Sequence, residues 1–360
     1  MPGSPYDALD ARAFWRSAVA TRRPGRLRGV YDPRFAVTRD TAIVTAGSCF
    51  AQHVHRALKA ADFTVVETEP APEGVAPEVA GRFFYGTFSA RYGNIYTPRH
   101  FRQLLDEAAG TRKPAHPVWA RDGRFYDALR PNVDPGGFAM ASAVPAARNQ
   151  HLAAVSRAMG QADVVILTLG LTETWQDRPT GTVYPTAPGV IADAPKGADI
   201  GFLALSHDDV VADLRAILAH LRGLNHAVRL ILTVAPGPLV ATAGGGHVLV
   251  ATAACKAILR AAVATMMAED DGVDYFPSYE IITNPAARGA FFQPNLRTPT
   301  PKGIAVVLGH FLAAHDLHPD VLSANDLPDA ARTSGRAEDP EDVDEAICEE
   351  VLNDSGGPRR

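Results

Sequence analysis

Apolar residues along this chain fall into two alternating kinds of run. Short β-rich runs occupy 42–46 (Ala-Ile-Val-Thr-Ala), 63–67, 163–169, 229–234 and 273–276. Longer stretches at 50–61, 145–160, 207–223, 248–268 and 300–315 repeat their apolar residues at helical spacing. The first kind suits strands buried on both faces, and the second suits helices packed by one stripe. Strands alternating with helices predict a parallel sheet covered on both sides. Two hairpin patterns interrupt this order, 118–126 with Asp122-Gly123 at its turn, and 181–184. Residues 68–160 read as a long insertion between the second and third strands.

The ends read differently. Residues 1–36 form a Pro- and Arg-rich arm with one short helical pattern around Phe14, Trp15 and Val19. The main domain spans 37–320. From 321 to 360 the chain is an acidic tail with the composition of a disordered segment. Within it Val343, Ile347, Val351 and Leu352 fall at helical spacing. They outline a short helix over 343–352 that docks on a protein partner or on the domain, or else a solvated tail.

Composition narrows the function class. Hydrophobic residues make up 46% and charged residues 21% of the 360, as in an ordinary soluble protein. A net charge of −5 argues against non-specific nucleic-acid binding, which needs a basic surface. Cys49, Cys255 and Cys348 are too few and too scattered for a disulfide framework or a zinc site, and suit a reducing compartment. The N-terminal residues lack the apolar stretch of a signal peptide, and no run suggests a membrane span. A cytoplasmic protein is expected.

The sharpest motif is Gly47-Ser48-Cys49-Phe50-Ala51, which follows the first strand run and opens the first helical one. Strand, tight turn and helix in that order expose the turn residues at the carboxyl end of the sheet. The first N–H groups of the helix favour an anion or a thiolate there. Ser48 and Cys49 are the candidate nucleophiles; otherwise Ser48 caps the helix and Cys49 is a small buried hydrophobe. Other strand ends deliver Thr172, Glu173 and Trp175, then a glycine run ending at His247, while the insertion adds Tyr92-Gly93-Asn94 and Tyr96. His247 is the preferred general base, with Glu173 to orient it or to pair with Arg178. His53 is the rival, four residues beyond Cys49 on one helix face. Tyr92, Tyr96 and Trp175 form an aromatic platform for a sugar ring or pack the insertion. Arg297 binds an anionic substrate group or neutralises the acidic tail. Gly244-Gly245-Gly246 lacks the Lys and Ser/Thr of a phosphate loop, so no nucleotide cofactor is expected.

These pieces resemble the GSCFA family, whose motif stands verbatim at 47–51, with Tyr92-Gly93-Asn94, Gly170-Leu171-Thr172-Glu173 and Tyr275-Phe276-Pro277-Ser278-Tyr279-Glu280 in support. That family is similar to the SGNH/GDSL hydrolases. The resemblance implies a three-layer α/β/α sandwich and acyl transfer or ester hydrolysis at a carbohydrate or glycoconjugate hydroxyl, through a covalent acyl-enzyme. It implies Cys49 at the nucleophile position, with the N–H groups of Cys49 and Gly93 and the Thr172 side chain as oxyanion donors. No cofactor is required by this reading, and acyl-CoA is a plausible donor substrate. The chain departs from the SGNH pattern where Asp-x-x-His is due: Asn295-Leu296-Arg297-Thr298 stands there. That departure leaves a degenerate domain that binds glycan or protein without catalysis as the alternative.

Overall fold

The computed structural model describes residues 4–315. Its centre is a parallel sheet of β1 (Ile43–Gly47), β4 (Val164–Leu169), β8 (Arg229–Val234) and β9 (Val273–Tyr275), in the spatial order β1-β4-β8-β9. Two smaller antiparallel units flank it. One is the hairpin of β2 (Val118–Arg121) and β3 (Arg124–Asp127); the other is a three-stranded sheet of β5 (Glu173–Asp177), β6 (Val183–Tyr184) and β7 (Ile200–Ala204). The helices are α1 (Cys49–Ala60), α2 (Pro77–Arg82), α3 (Pro98–Ala108), α4 (Ala143–Gln161), α5 (His207–Leu224), α6 (Val248–Glu269), α7 (Ser278–Thr283) and α8 (Pro301–Ala314).

Side-chain alternation along the strands sorts the core into two layers. Val44, Ala46, Val165, Leu167, Leu230 and Leu232 face one way, into a cluster supplied by α3, α4, α5 and α6. Ile43, Ile166 and Ile231 face the other way, against Phe50, Val54 and Leu58 of α1, Ile281 of α7 and Val307 and Phe311 of α8. Period-two alternation with apolar residues on both faces is what a doubly covered parallel sheet requires. The three-layer α/β/α sandwich follows.

Most predicted elements lie within two residues of their expected ends, and the departures have local causes. The expected strand at 63–67 reduces to a single bridge between Val65 and Ile43. Ser89 from the insertion takes over the edge of β1, its hydroxyl accepting from the Thr45 N–H at 2.9 Å. The segment 173–177, left unassigned beyond the third strand run, pairs as β5, because β6 and β7 arrive from either side to satisfy its backbone. Helix α3 lies inside the insertion: Thr97 caps it by accepting from the His100 N–H at 3.2 Å, and Pro98 follows at the first helical position. The 118–126 hairpin forms as expected, with Asp122 and Gly123 both at positive φ in its two-residue turn. By length and composition alone α6 is apolar enough to cross a membrane, contrary to the expectation that no run is, with mean hydropathy 1.7. In the fold it packs one stripe, Cys255, Lys256, Leu259, Val263 and Met266, against the core.

A buried ionic cluster secures the insertion. Asp127 accepts from Arg130 at 2.8 Å and from Arg148 at 3.1 Å, and Arg148 also pairs with Glu107. Burial alone would raise the Asp127 carboxyl; Arg148 and Arg130 overcome that and hold it at about 2. Beside it Glu69 bonds His151 Nδ1 at 2.8 Å. Burial also works to raise Glu69, but His151, Arg130 and the Arg91 N–H bring it down to about 2. The expected tail helix at 343–352 lies outside the described residues.

Candidate functional site

Gly47 ends β1 with φ +136° and lies against the backbone of Thr168 on β4, where an added Cβ would come within 2.4 Å of the Thr168 oxygen. Only glycine lets the two chains approach this closely. Ser48 then caps α1 in extended backbone geometry, its N–H donating to the Thr168 oxygen at 3.2 Å. Its side chain does not cap: Ser48 Oγ is enclosed and makes no hydrogen bond among the described residues. Cys49, the first helical residue, is partly exposed. The N–H groups of Cys49 and Phe50, left over as at every helix start, have no hydrogen-bond partner among the described residues. The accessible nucleophile of the turn is therefore the thiol, and the serine hydroxyl lies beneath it.

Three segments close around this turn. The 93–96 loop runs alongside the end of β1, with the Ile95 N–H donating to the Gly47 oxygen at 2.9 Å. Gly93 takes φ +70° against Asn132, Arg130 and Val133, and Asn94, buried, accepts from Gln52 of α1 at 3.1 Å. From the other side Gly170 sits against Ser48: a Cβ there would lie 2.9 Å from Ser48 Cβ and 3.5 Å from Oγ. The N–H groups of Gly170 and Leu171 donate to the Tyr96 oxygen at 3.1 and 2.8 Å, joining the two loops. The third segment is α6, whose buried Lys256 ammonium donates to the Gly170 oxygen at 2.7 Å. Thr168 Oγ1, beside Gly47, is a second enclosed hydroxyl without a partner.

Other expected members sit elsewhere. His247 is exposed and caps α6, its Nδ1 accepting from the Leu249 N–H at 3.1 Å; no hydrogen bond joins it to Ser48 or Cys49. Its loop leans on the antiparallel sheet instead, with the Thr242 hydroxyl donating to Glu173 at 2.7 Å and Gly244 beside Phe202. Glu173 is thus engaged by Thr242, and Arg178 pairs with Asp199, so the Glu173–Arg178 pair does not form. Thr172 is buried beside the Cys255 thiol. Tyr92 and Tyr96 are buried, Tyr92 edge-on to His151, so neither offers a platform; Trp175 meets Phe202 edge-on at 6.1 Å. Arg297 lies in a turn where Asn295 Oδ1 accepts its N–H at 2.9 Å and that of Thr298 at 3.0 Å, and its carbonyl abuts Gly237. His53 stands one turn beyond Cys49 on α1, its Nδ1 3.1 Å from Arg56 Nη2.

Sequence reasoning missed Lys256, Gln52 and Thr168. Lys256 had a signal: it is a charge on the same stripe as Leu259 and Val263, in a helix otherwise poor in charge. A lysine on a buried stripe needs a polar partner, and here that partner is the strand end beside Ser48. Among the described residues no group of three His, Cys, Asp or Glu side chains could hold a metal ion.

Residues 42–311 match the model of the GSCFA family, and the chain belongs to that family. The match runs from the start of β1 into α8, so the turn and the segments around it all fall inside it. No curated protein matches the chain.

Proposed function

We propose that the protein transfers or hydrolyses acyl groups through Cys49, with a carbohydrate or glycoconjugate hydroxyl as acceptor and an acyl thioester such as acyl-CoA as donor. The observation that carries this reading is the partly exposed Cys49 at the head of α1, beside unpartnered N–H groups and the enclosed Ser48 hydroxyl. The Cys49 sulfur attacks the acyl carbonyl, and negative charge develops on its oxygen. The N–H groups of Cys49 and Phe50 stabilise that charge. The donor thiolate leaves and takes up a proton, giving a thioester on Cys49. The acceptor hydroxyl, or water, then attacks the thioester, loses its proton to a base, and restores the thiol. His53, one turn along α1, serves as the base in this reading, and His247 is the competitor. The reaction class is the one a resemblance of the family to SGNH hydrolases would imply, and three cysteines in 360 residues suit a cytoplasmic biosynthetic role.

The test is hydrolysis of activated esters and of acyl-CoA by wild type, Cys49→Ala, His53→Ala and His247→Ala. Loss of a positioned base costs about 10²–10⁴-fold in turnover. We expect that loss in His53→Ala, near-complete loss in Cys49→Ala, and little change in His247→Ala.

One observation favours a second reading, binding without catalysis. Asn295 spends its side-chain oxygen on the N–H groups of its own turn, and Thr298 stands where the resemblance to SGNH hydrolases would put the acid–base histidine. Wild type as inert as Cys49→Ala toward every donor supports that reading.

A further inference from the structure

The arm carries an aromatic, basic surface that the core does not use. Tyr6, Leu9, Phe14 and Trp15 are 63%, 47%, 40% and 63% exposed, an unusual concentration of large apolar side chains in one short segment. Arg16, Arg23, Arg26 and Arg28 are exposed around them and make no ion pair among the described residues. The acids of the arm are spent locally: Asp7 accepts from the Ser4 N–H and Asp10 from the Arg12 N–H, each at 2.8 Å. The arm is held to the core by its far end. Gly25 lies against Val306 of α8, Leu27 is buried, and the Tyr31 hydroxyl donates to Asp274 at 2.9 Å.

The described chain ends beside that base. His315 Nδ1 accepts from the Val37 N–H at 3.3 Å, and its ring meets Tyr31 edge-on at 5.7 Å. Beyond it, the sequence from Glu338 to Asp354 contains acids and no lysine or arginine, with Val343, Ile347 and Val351 at every fourth position. Twenty-seven residues separate His315 from Val343, and a chain of that length with coil statistics reaches roughly 30 Å, which would hold two linked segments at an effective concentration in the millimolar range.

We propose that residues 343–352 dock in cis on the arm, with Val343, Ile347 and Val351 against Phe14 and Trp15 and the flanking carboxylates against Arg16 and Arg23. The occupant is this chain's own tail because it alone combines the matching charge, the apolar spacing and an origin beside the base of the arm.

Two measurements on the full chain test this. In hydrogen exchange followed by mass spectrometry, amides of 343–352 and of 11–22 should be protected together in wild type. Both should exchange roughly tenfold faster in Ile347→Asp, in Arg16→Glu/Arg23→Glu, and in 1 M NaCl, where screening shortens to about 3 Å. Rates unchanged by all three perturbations overturn the proposal. In a Cys49→Ala/Ala13→Cys background, a short bismaleimide should link Cys348 to position 13 within one monomer. A link found only between two copies, rising with protein concentration, overturns docking in cis and makes the occupant a second molecule.

Discussion

The ammonium of Lys256, buried on α6, donates to the carbonyl of Gly170 at 2.7 Å, and Gly170 in turn rests against the side chain of Ser48. A helix on one face of the sheet is thereby tied to the turn that opens a helix on the other face. The link passes through a residue with no side chain of its own. Gly170→Ala would place a methyl 2.9 Å from Ser48 Cβ and 3.1 Å from the Tyr96 oxygen. Overpacking of this kind costs about 1–3 kcal/mol, or roughly 2–12 °C in Tm at this size. A melting curve checks it, and a Gly170→Ala protein as stable as wild type would mean that the turn gives way easily.

Replacing Lys256 with Met removes the hydrogen bond but also relieves a buried charge, so stability should change little. The effect should appear locally. We expect faster hydrogen exchange at Gly170 and Leu171, whose N–H groups bond the Tyr96 oxygen, with peptides from β8 and β9 unchanged. Uniform loss of protection across the sheet would make Lys256 a general stabiliser instead.

The cysteines should separate by reactivity. Cys49 is partly exposed, whereas Cys255 is 2% exposed and burial pushes its thiol up. Iodoacetamide at pH 7.5 should alkylate Cys49 in the native protein at least tenfold faster than Cys255, as read by peptide mass spectrometry. Equal rates, or a Cys49 that reacts only after denaturation, would remove the thiol from the site.

Acid should destabilise the insertion before it reaches ordinary carboxylates. Burial, with Arg148 nearby, lowers His100 to about 4; burial and Arg130 lower His151 to about 4. Both lie below the unfolded value near 6.5, so the unfolded chain binds more protons between those limits. The stability from keeping them neutral is complete above pH 6.5 and is lost as pH falls toward 4. Tm should fall by several degrees across that window, and His151→Gln should flatten the fall. A Tm independent of pH from 6.5 to 4 would contradict the burial of both rings.

Asp127 tests the ionic cluster from the acid side. Asp127→Asn leaves Arg130 and Arg148 facing a neutral amide in a buried setting. Breaking such a pair costs about 3–5 kcal/mol. We expect a loss of Tm of roughly 6–20 °C and proteolysis first within 112–142, measured by melting and limited trypsin digestion.

The layered sheet was legible because its strands are continuous apolar runs and its helices carry one apolar stripe each. The insertion was far less legible. Beside its apolar residues it encloses Asp127, Arg130, Arg148 and His151 with Glu69, polar residues that any hydropathy pattern assigns to solvent. The strand that carries Glu173 and Trp175 was not legible for a related reason: β5 is a strand only because β6 and β7, distant in sequence, pair with it. The Gly47–Cys49 turn was legible because local geometry alone makes it, through a strand end, a glycine and a helix start. Where His247 lies was not, since it and its glycine run are positioned by Thr242 and Phe202, contacts that spacing along the chain does not encode.

The central claim is that Cys49 carries the acyl group. Its most direct test is peptide-level mass spectrometry after the full chain is mixed with acyl-CoA or an activated ester and quenched in acid. The account predicts one acyl adduct, on Cys49, present in Ser48→Ala and absent in Cys49→Ala. An adduct on Ser48 that survives Cys49→Ala, or no adduct with any donor, would contradict it.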